Sequence, residues 1–381
     1  MAPRVGINEV VLCDRSSGTR QREINLLPAL LRELREADWQ RFVYFARDLG
    51  ETTAARLLGG EWPEVVRTPI PAAPTAMRIA RGLAYWRNRC RKDRLDVFHV
   101  ASYPAPRIDA ALVLTVNDLR FVHMPETYSR GRLAFLRAVV GRSIKRAERV
   151  IAISNDTKSD VANLYGVDPD RIDVVHIPAD PAFCRTTDGQ ILESVRRRLR
   201  LPRKYILFVG HLEPRKNLVR LVQAFAHLHA NGAIDQDLVI LGQPSLRFRS
   251  VLETARAVAC AGRIVFTGYV GDNDMPAVYS MADLLAFPSL HEGFGVPLLE
   301  AMACGIPIVA SDAAALPEVS DGAARLVDPF SVESIADGLR EVAVNENVRR
   351  QLVERGARRL RDFSPESAAR KIRKAYERAA S

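Results

Sequence analysis

Two glutamates eight positions apart are the residues of this sequence whose types and spacing best predict chemistry. Glu292 and Glu300 lie in the segment SLHEGFGVPLLEAMACG, residues 289–305. Proline is typical of the first position of a helix and glycine of the position after its end, so Pro297 and Gly305 predict a helix between them. At about 1.5 Å of rise per residue, Glu300 lies about 4.5 Å along the axis from Pro297 and stays near Glu292. The segment therefore predicts two carboxylates at the mouth of one site.

The loop between the two glutamates is suited to an anion. Gly293, Phe294 and Gly295 allow the backbone to approach a ligand closely, and free N–H groups at the start of the helix favour a phosphate. Backbone amides would bind a diphosphate, one carboxylate would accept hydrogen bonds from ribose hydroxyls, and the other would face a sugar. This combination indicates a sugar nucleotide. The alternative is an ordinary α/β loop with two solvated glutamates.

A pair of basic residues follows a predicted strand earlier in the chain. The strand YILFVG, residues 205–210, precedes HLEPRKN and an amphipathic helix. Arg215 and Lys216 therefore follow the carboxyl end of a parallel strand, where open α/β sheets bind ligands. The pair could neutralise a departing nucleoside diphosphate without a metal ion. A solvated surface pair is the alternative interpretation.

Short apolar strands alternate with helices in both halves of the chain. A length of 381 residues is long for one core and favours two domains. We expect an α/β fold with domains at 1–195 and 205–362, a charged linker at 196–204, and a final helix at 363–381 that crosses back to the first domain. The strands predicted in the first half are 5–12, 42–45, 97–100, 112–116, 150–153 and 172–176.

Residues 208–225 and 268–319, which contain both signals, resemble the nucleotide-binding half of a large enzyme family. This is the retaining glycosyltransferase family of the GT-B type with an E-x7-E signature, known as family 4 or group 1, and the resemblance is to its mannosyltransferase-like members. Residues 96–100, 112–121 and 147–180 resemble the family's acceptor-binding domain. The resemblance implies two Rossmann-like, doubly wound domains that face a central cleft, with the acceptor bound by the first and the nucleotide sugar by the second.

The resemblance also implies roles for particular residues. Lys216, with Arg215 beside it, would hold the diphosphate, Glu300 would bind the ribose, and Glu292 would lie against the donor sugar and phosphate. Glu292, Arg215 and Lys216 are the predicted catalytic residues. The predicted substrate-binding residues are Gly18, Asn117, Asp118, Gly210, His211, Tyr269, Val270, Gly293, Phe294, Gly295, Leu298 and Glu300.

Three positions depart from the family pattern. Many relatives have two glycines in the loop of Gly18, a histidine in place of Asn117 and an arginine in place of His211. Asparagine can donate and accept hydrogen bonds but cannot shuttle a proton. The resemblance implies front-face attack in which the leaving phosphate takes the acceptor's proton, so the mechanism requires no protein base.

Composition bounds the partners and the compartment. The net charge of +10 is concentrated in residues 77–94 and 131–149, which mix arginines with apolar residues at helical spacing. These stretches predict either a surface for anionic lipid or a solvated basic face. No nucleic-acid-binding module is visible. An odd number of cysteines, no secretory signal and no apolar run of membrane-spanning length indicate the cytoplasm, with peripheral binding to the inner face of the cytoplasmic membrane as an option.

No metal or other cofactor is expected besides the nucleotide-sugar substrate. The Asp-x-Asp triplets 168–170, 235–237 and 272–274 lie in polar, turn-like stretches, which favours structural roles. The expected function is metal-independent, retaining transfer of a hexose to a surface-glycan or lipid-linked acceptor. GDP-mannose is the expected donor, and UDP-sugars use the same scaffold. The alternatives are a nucleotide-sugar epimerase on the same fold and a membrane- or nucleic-acid-binding protein with a degenerate site.

Overall fold

All strand pairs are parallel in the part of the chain that the computed structural model describes, residues 2–12, 18–243 and 248–381. The strands form two sheets, and the chain divides into two units. Unit 1 comprises Met1–Pro178 with Phe363–Ser381, and unit 2 comprises Ala179–Asp362. Two parallel-sheet α/β units confirm the predicted fold class.

Unit 1 is built on a seven-stranded sheet with the order β3-β2-β1-β4-β5-β6-β7. Its strands are β1 Arg4–Glu9, β2 Gln40–Phe45, β3 Glu64–Arg67, β4 Val97–Val100, β5 Ala111–Val116, β6 Arg149–Ala152 and β7 Ile172–Val174. Its helices are α1 Gly18–Glu36, α2 Glu51–Leu58, α3 Thr75–Lys92, α4 Arg120–His123, α5 Arg130–Arg146, α6 Asn155–Tyr165 and α15 Pro365–Ala380. The central strands are mostly apolar because helices cover both faces of the sheet.

Each face of this sheet has its own hydrophobic core. One core contains residues of α1, α2 and α15, and the other contains residues of α3, α5 and α6. The last helix, α15, packs on α1, where Arg373 Nε lies 2.8 Å from Glu33 Oε1. The fully buried Tyr376 joins it to the sheet through a 2.7 Å hydrogen bond with His99.

Unit 2 is built on a six-stranded sheet with the order β10-β9-β8-β11-β12-β13. Its strands are β8 Tyr205–Val209, β9 Asp237–Leu241, β10 Ile264–Gly268, β11 Leu284–Phe287, β12 Ile308–Ser311 and β13 Arg325–Val327. Its helices are α7 Gly189–Leu199, α8 Leu218–Ala230, α9 Arg249–Ala257, α10 Met275–Met281, α11 Val296–Ala303, α12 Leu316–Ser320, α13 Val332–Val344 and α14 Glu346–Arg359.

The structure differs from the sequence analysis at the division of the chain. Residues 179–195, assigned to the first domain, belong to unit 2. Polar contacts join this segment and the rest of α7 to α10. Thr186 N donates to Ser280 Oγ of α10 over 2.9 Å, and Arg198 of α7 pairs with Asp274, the residue before α10, over 2.6 Å. The predicted linker 196–204 thus begins inside α7.

Strand order reverses once in each sheet, between β1 and β4 in unit 1 and between β8 and β11 in unit 2. In open parallel sheets, ligands bind at the carboxyl ends of the strands that flank such a reversal. Each unit therefore has one expected ligand crevice. None of the helices in the described residues combines the length and apolar character that a membrane span requires.

Candidate active site

The reversal point of unit 2 brings together the two segments that the sequence analysis selected. Lys216 follows β8 and Glu292 follows β11, and Lys216 Nζ donates to Glu292 Oε1 over 2.7 Å. Arg215 pairs with the second oxygen of Glu292 and, over 2.7 Å, with Glu213. Two cations and two carboxylates therefore form a neutral cluster at the carboxyl edge of the sheet.

Burial makes this cluster electrostatically strong. Lys216 and Glu292 are 6% and 9% exposed, so water screens their charges weakly. Burial alone would raise the pKa of Glu292, but Lys216 and Arg215 outweigh it and lower that pKa to about 2. Burial lowers the pKa of Lys216, with Glu292 opposing the shift. The Lys216 ammonium also lies 4.4 Å from the centre of the Phe287 ring. Because its pKa is lowered to about 2, Glu292 is ionised at neutral pH.

Asn217 fixes the turn that carries the two cations. Its backbone is left-handed, with φ of 59°, which asparagine tolerates better than most residues. Its buried side chain donates to Pro288 O over 3.0 Å and to Pro329 O over 2.6 Å. The segments after β8, β11 and β13 are thereby joined through one amide. Asn217 therefore fixes the turn 215–217 to the segments that follow β11 and β13.

Two glycines predicted in the site are required by close contacts. A Cβ atom on Gly210 would lie 3.1 Å from Lys216 Cε, and one on Gly295 would lie 2.4 Å from Leu316 Cδ2. Gly295 also has φ of 102°, which side chains disfavour, and it precedes α11 directly. Pro297 is the second residue of α11, one position later than predicted, and Gly305 follows the helix with φ of 67°.

Glu300 on α11 lies in a different environment from Glu292. Tyr279 of α10 donates to Glu300 Oε2 over 2.5 Å. Burial raises the pKa of Glu300 to about 7, and Asp180 and Asp272 add to this, while Tyr279 and Lys216 oppose it. The two glutamates thus differ in charge state near neutral pH: Glu292 is ionised and Glu300 titrates.

The other predicted residues of unit 2 differ in exposure. Tyr269 is 57% exposed and His211 is also exposed, whereas Val270, Phe294 and Leu298 are buried at 4%, 3% and 0%. Val270, Phe294 and Leu298 therefore contribute side chains to the hydrophobic interior of unit 2. Gly293 is half-buried in the loop after β11.

The residues predicted in unit 1 lie near its own reversal point. Asn117 follows β5 directly, and its side chain oxygen accepts from Arg22 Nη1 over 2.5 Å. Asp118 Oδ1 accepts from the backbone of Arg120 over 3.2 Å. Gly18 is the first residue of α1, and the loop before it, 13–17, lies outside the described residues.

Each Asp-x-Asp triplet makes hydrogen bonds or ion pairs within its own unit. Asp168 caps a short 3-10 turn by accepting from Asp170 N over 2.9 Å. Asp235 pairs with Lys204 over 2.7 Å, and Asp237 pairs with Arg263. Asp274 pairs with Arg198. Within the described residues, no group of three or more His, Cys, Asp or Glu side chains has the arrangement of a metal site.

Sequence reasoning missed three residues that organise these sites. Asn217 was signalled by its place directly after the cation pair, because asparagine is favoured where φ is positive. Tyr279 lies 21 positions before Glu300 on another helix, and Arg22 lies 95 positions before Asn117. No local spacing rule connects such pairs, so only the fold reveals them.

Comparison with known families accounts for both units. The family model "Glycosyltransferase Family 4" matches residues 27–183, and "Glycosyl transferases group 1" matches residues 193–359. O-antigen chain mannosyltransferase B of Escherichia coli is 27% identical over 292 residues, 77% of this chain and 76% of that protein. Serotype-specific mannosyltransferase WbdA of Escherichia coli is 28% identical over 67% of this chain, which spans only 32% of that longer protein.

The fold is shared with solved glycosyltransferase structures. Sucrose-phosphate synthase from Thermosynechococcus elongatus superposes with a TM-score of 0.74 over 98% of both chains, at 17% sequence identity. At this identity the likeness concerns the fold alone, and it confirms the expected GT-B architecture. The two family models, which cover most of both units, confirm the expected enzyme class. The chain belongs to the group 1, family 4 glycosyltransferases.

Proposed function

We propose that this glycosyltransferase moves mannose from GDP-mannose to a surface-glycan or lipid-linked acceptor, with retention of configuration and without a metal ion. The observation that carries the proposal is the buried cluster of Lys216, Arg215 and Glu292 at the reversal point of unit 2. It supplies two cations at the place where an α/β sheet binds phosphates. Such a pair can stabilise a departing diphosphate in the way that a divalent ion does elsewhere.

Each residue of the cluster has a definite task in this reaction. The bond between the sugar's C1 and the diphosphate oxygen breaks, the acceptor hydroxyl bonds to C1 on the same face, and its proton passes to the leaving phosphate. Lys216 and Arg215 stabilise the charge that develops on the diphosphate. Glu292, ionised with its pKa near 2, stabilises positive charge on the sugar ring. Glu300 accepts hydrogen bonds from ribose hydroxyls when it is ionised.

The choice of mannose rests on the relatives. O-antigen chain mannosyltransferase B spans most of this chain, and its name supports both mannose and a surface-glycan acceptor. A UDP-sugar is the main competing donor. The test is a thermal-shift panel of GDP, UDP, GDP-mannose and UDP-glucose, because a ligand that binds only the native state raises Tm. We expect GDP and GDP-mannose to raise Tm most. A larger rise with uridine nucleotides would reject the proposed donor.

The same panel is then followed by product analysis. Transfer requires an acceptor, whereas an epimerase converts GDP-mannose into another nucleotide sugar without one. We expect GDP release to accelerate when a mannose-terminated glycoside is added. Conversion of the donor without an acceptor would favour the epimerase.

We also propose that unit 1 binds anionic membrane surfaces, where a lipid-linked acceptor would lie. The basic helices α3 and α5 cover the same face of the unit 1 sheet, since both contribute to one core. On α5, Arg132, Arg137 and Lys145 are exposed and pair with no carboxylate among the described residues. Phe135, 39% exposed, lies one helical turn from Arg132. Such a combination of exposed cations and an aromatic residue is typical of interfacial helices.

A further inference from the structure

A buried guanidinium connects α1 to the residue after β5 in unit 1. Arg22 Nη1 donates to Asn117 Oδ1 over 2.5 Å, and Arg22 Nε donates to Glu23 Oε1 over 2.9 Å. The Arg22 and Glu23 side chains are each 9% exposed. Hydrogen bonds to a charged group in such an environment are short and stronger than neutral ones. Arg22 therefore restrains the orientation of Asn117.

The direction of that restraint follows from the chemistry of arginine. A guanidinium has N–H donors and no acceptor, so the Asn117 atom that faces it must be the carbonyl oxygen. The amide NH2 of Asn117 then points away from Arg22. It has no hydrogen-bond partner among the residues that the structure describes. Asn117 is only half-buried, so its NH2 is left with two donors near the carboxyl edge of the sheet.

Neighbouring carboxyl groups keep the guanidinium in place. Glu23 takes two of its donors, and Glu9, at the end of β1, lines the same small cavity as Arg22, Glu23 and His99. Burial raises the pKa of Glu9 well above its usual value, the charge of Glu23 adds to this, and Arg22 opposes it. Burial lowers the pKa of His99 to about 3, with Arg22 adding to the shift. Of the two carboxyl groups that line this cavity with Arg22, Glu23 is the one that pairs with the guanidinium.

We propose that Arg22 is a positioning residue that fixes Asn117 as a hydrogen-bond donor to an oxygen of the sugar substrate. The proposal rests on the proposed function, because it takes Asn117 as a substrate-binding residue. Without Arg22 the amide could flip, and the sugar oxygen would then face the carbonyl oxygen of Asn117, which cannot donate a hydrogen bond. Arg22 orients the side chain of Asn117 and itself contacts no substrate.

Substitution at Asn117 tests the donor role. Asn117→Asp keeps the size and the oxygen that accepts from Arg22 but removes both N–H donors. We expect Tm to stay unchanged or rise, because the new carboxylate pairs with the guanidinium, while kcat with GDP-mannose falls at least tenfold. Turnover equal to that of the wild type would overturn the proposal. If the wild type itself transfers no sugar, the proposed function fails instead, and the two failures are distinguishable.

Substitution at Arg22 tests the positioning role. The double variant Arg22→Met with Glu23→Gln removes the guanidinium together with the carboxylate that it neutralises, so the buried charge stays balanced. Arg22→Lys is the conservative control, which retains a donor to Asn117. We expect the double variant to lose at least fivefold in kcat and the lysine variant to recover part of that loss at similar Tm. A double variant with unchanged kcat and KM would contradict the proposal.

A spectroscopic measurement is independent of turnover. The Asn117 side-chain NH2 resonances, assigned by their absence in Asn117→Asp, should shift when GDP-mannose is added to the wild type. In the double variant they should shift less, because the amide then samples both orientations. Resonances that ignore the sugar nucleotide in the wild type would count against the donor role.

Discussion

At the scale of single residues, the carboxylate of Glu292 compensates Lys216 and shares the compensation of Arg215 with Glu213 before any phosphate arrives. Glu292→Gln removes one of the two negative charges, so Lys216 is left for the ligand while Arg215 still pairs with Glu213. We expect free GDP to bind with equal or higher affinity, while kcat falls about a hundredfold because the negative charge beside the sugar is lost. Calorimetry with GDP and steady-state kinetics provide the two readouts.

Glu300→Gln is the matched comparison for that experiment. The substitution removes the carboxylate that accepts charge-assisted hydrogen bonds from ribose hydroxyls. The free energy of GDP binding should therefore become less favourable by about 1–3 kcal/mol. The two variants change one carboxylate each in the same unit. Equal losses of GDP affinity would show that the two glutamates do not divide their roles.

The raised pKa of Glu300 predicts that nucleotide binding depends on pH. A carboxyl accepts hydrogen bonds from both ribose hydroxyls only when it is ionised, so GDP affinity should fall as the pH drops through about 7. Tyr279 lowers this pKa through its hydrogen bond, so Tyr279→Phe should move the midpoint to higher pH. Glu300→Gln should abolish this part of the pH dependence of GDP affinity and leave only the part that comes from titration of the diphosphate. Identical pH profiles for the wild type and Glu300→Gln would refute the assignment.

At the scale of elements, Asn217 is the amide that joins three strand ends. Asn217→Asp cannot donate to the carbonyls of Pro288 and Pro329, and each buried group left unpaired costs about 1–3 kcal/mol. We expect the free energy of unfolding to fall by about 2–6 kcal/mol. Asn217→Gly allows the left-handed backbone but removes the side-chain amide, so it shows the effect of losing the two hydrogen bonds without backbone strain.

The control for Asn217 lies at the other end of the same helix. Asn231 is an exposed residue that caps the carboxyl end of α8, and Asn231→Asp should cost under about 1 kcal/mol through the helix dipole. Chemical denaturation of Asn217→Asp, Asn217→Gly and Asn231→Asp measures the three free energies of unfolding. If both aspartate variants unfold at the same denaturant concentration, Asn217 does not hold the site together.

The elements also show what the sequence could predict. The strand at 97–100 was located correctly because Val97, Phe98 and Val100 are buried apolar residues, with His99 as the one polar residue among them. β3, Glu64–Arg67, was missed because it is a short edge strand that exposes Glu64 and Val65 and has no clear periodicity. The helix with Glu300 was predicted because proline and glycine mark its ends. The partner of Glu300, Tyr279, could not be predicted, since its contact depends on how two helices pack.

At the scale of the whole molecule, the basic face of unit 1 predicts reversible binding to anionic vesicles. Each cation near such a surface contributes about 1 kcal/mol, and the attraction decays over about a Debye length. We expect sedimentation with vesicles that contain phosphatidylglycerol at low salt, weaker binding at physiological salt, and none with phosphatidylcholine alone. The combined variant Arg132→Gln, Arg137→Gln and Lys145→Gln should bind about a hundredfold more weakly.

Other basic residues of the same face supply the matched control. Arg87 and Arg91 of α3 both pair with Asp109, so their charges are partly compensated. The combined variant Arg87→Gln and Arg91→Gln should lose less affinity than the α5 variant Arg132→Gln and Arg137→Gln, which removes the same number of cations. If the wild type ignores anionic vesicles even at low salt, the basic helices are ordinary solvated surface.

Retaining, metal-independent sugar transfer can be tested by the configuration of the product that forms in excess chelator. GDP-mannose and a mannose-terminated glycoside are incubated with the enzyme, and the anomeric signals of the product are read by nuclear magnetic resonance. We expect an α-linked product, as in the donor, at the rate seen without chelator, and at least a hundredfold slower formation with Lys216→Ala. A β-linked product, or activity that chelator abolishes and manganese restores, would contradict it.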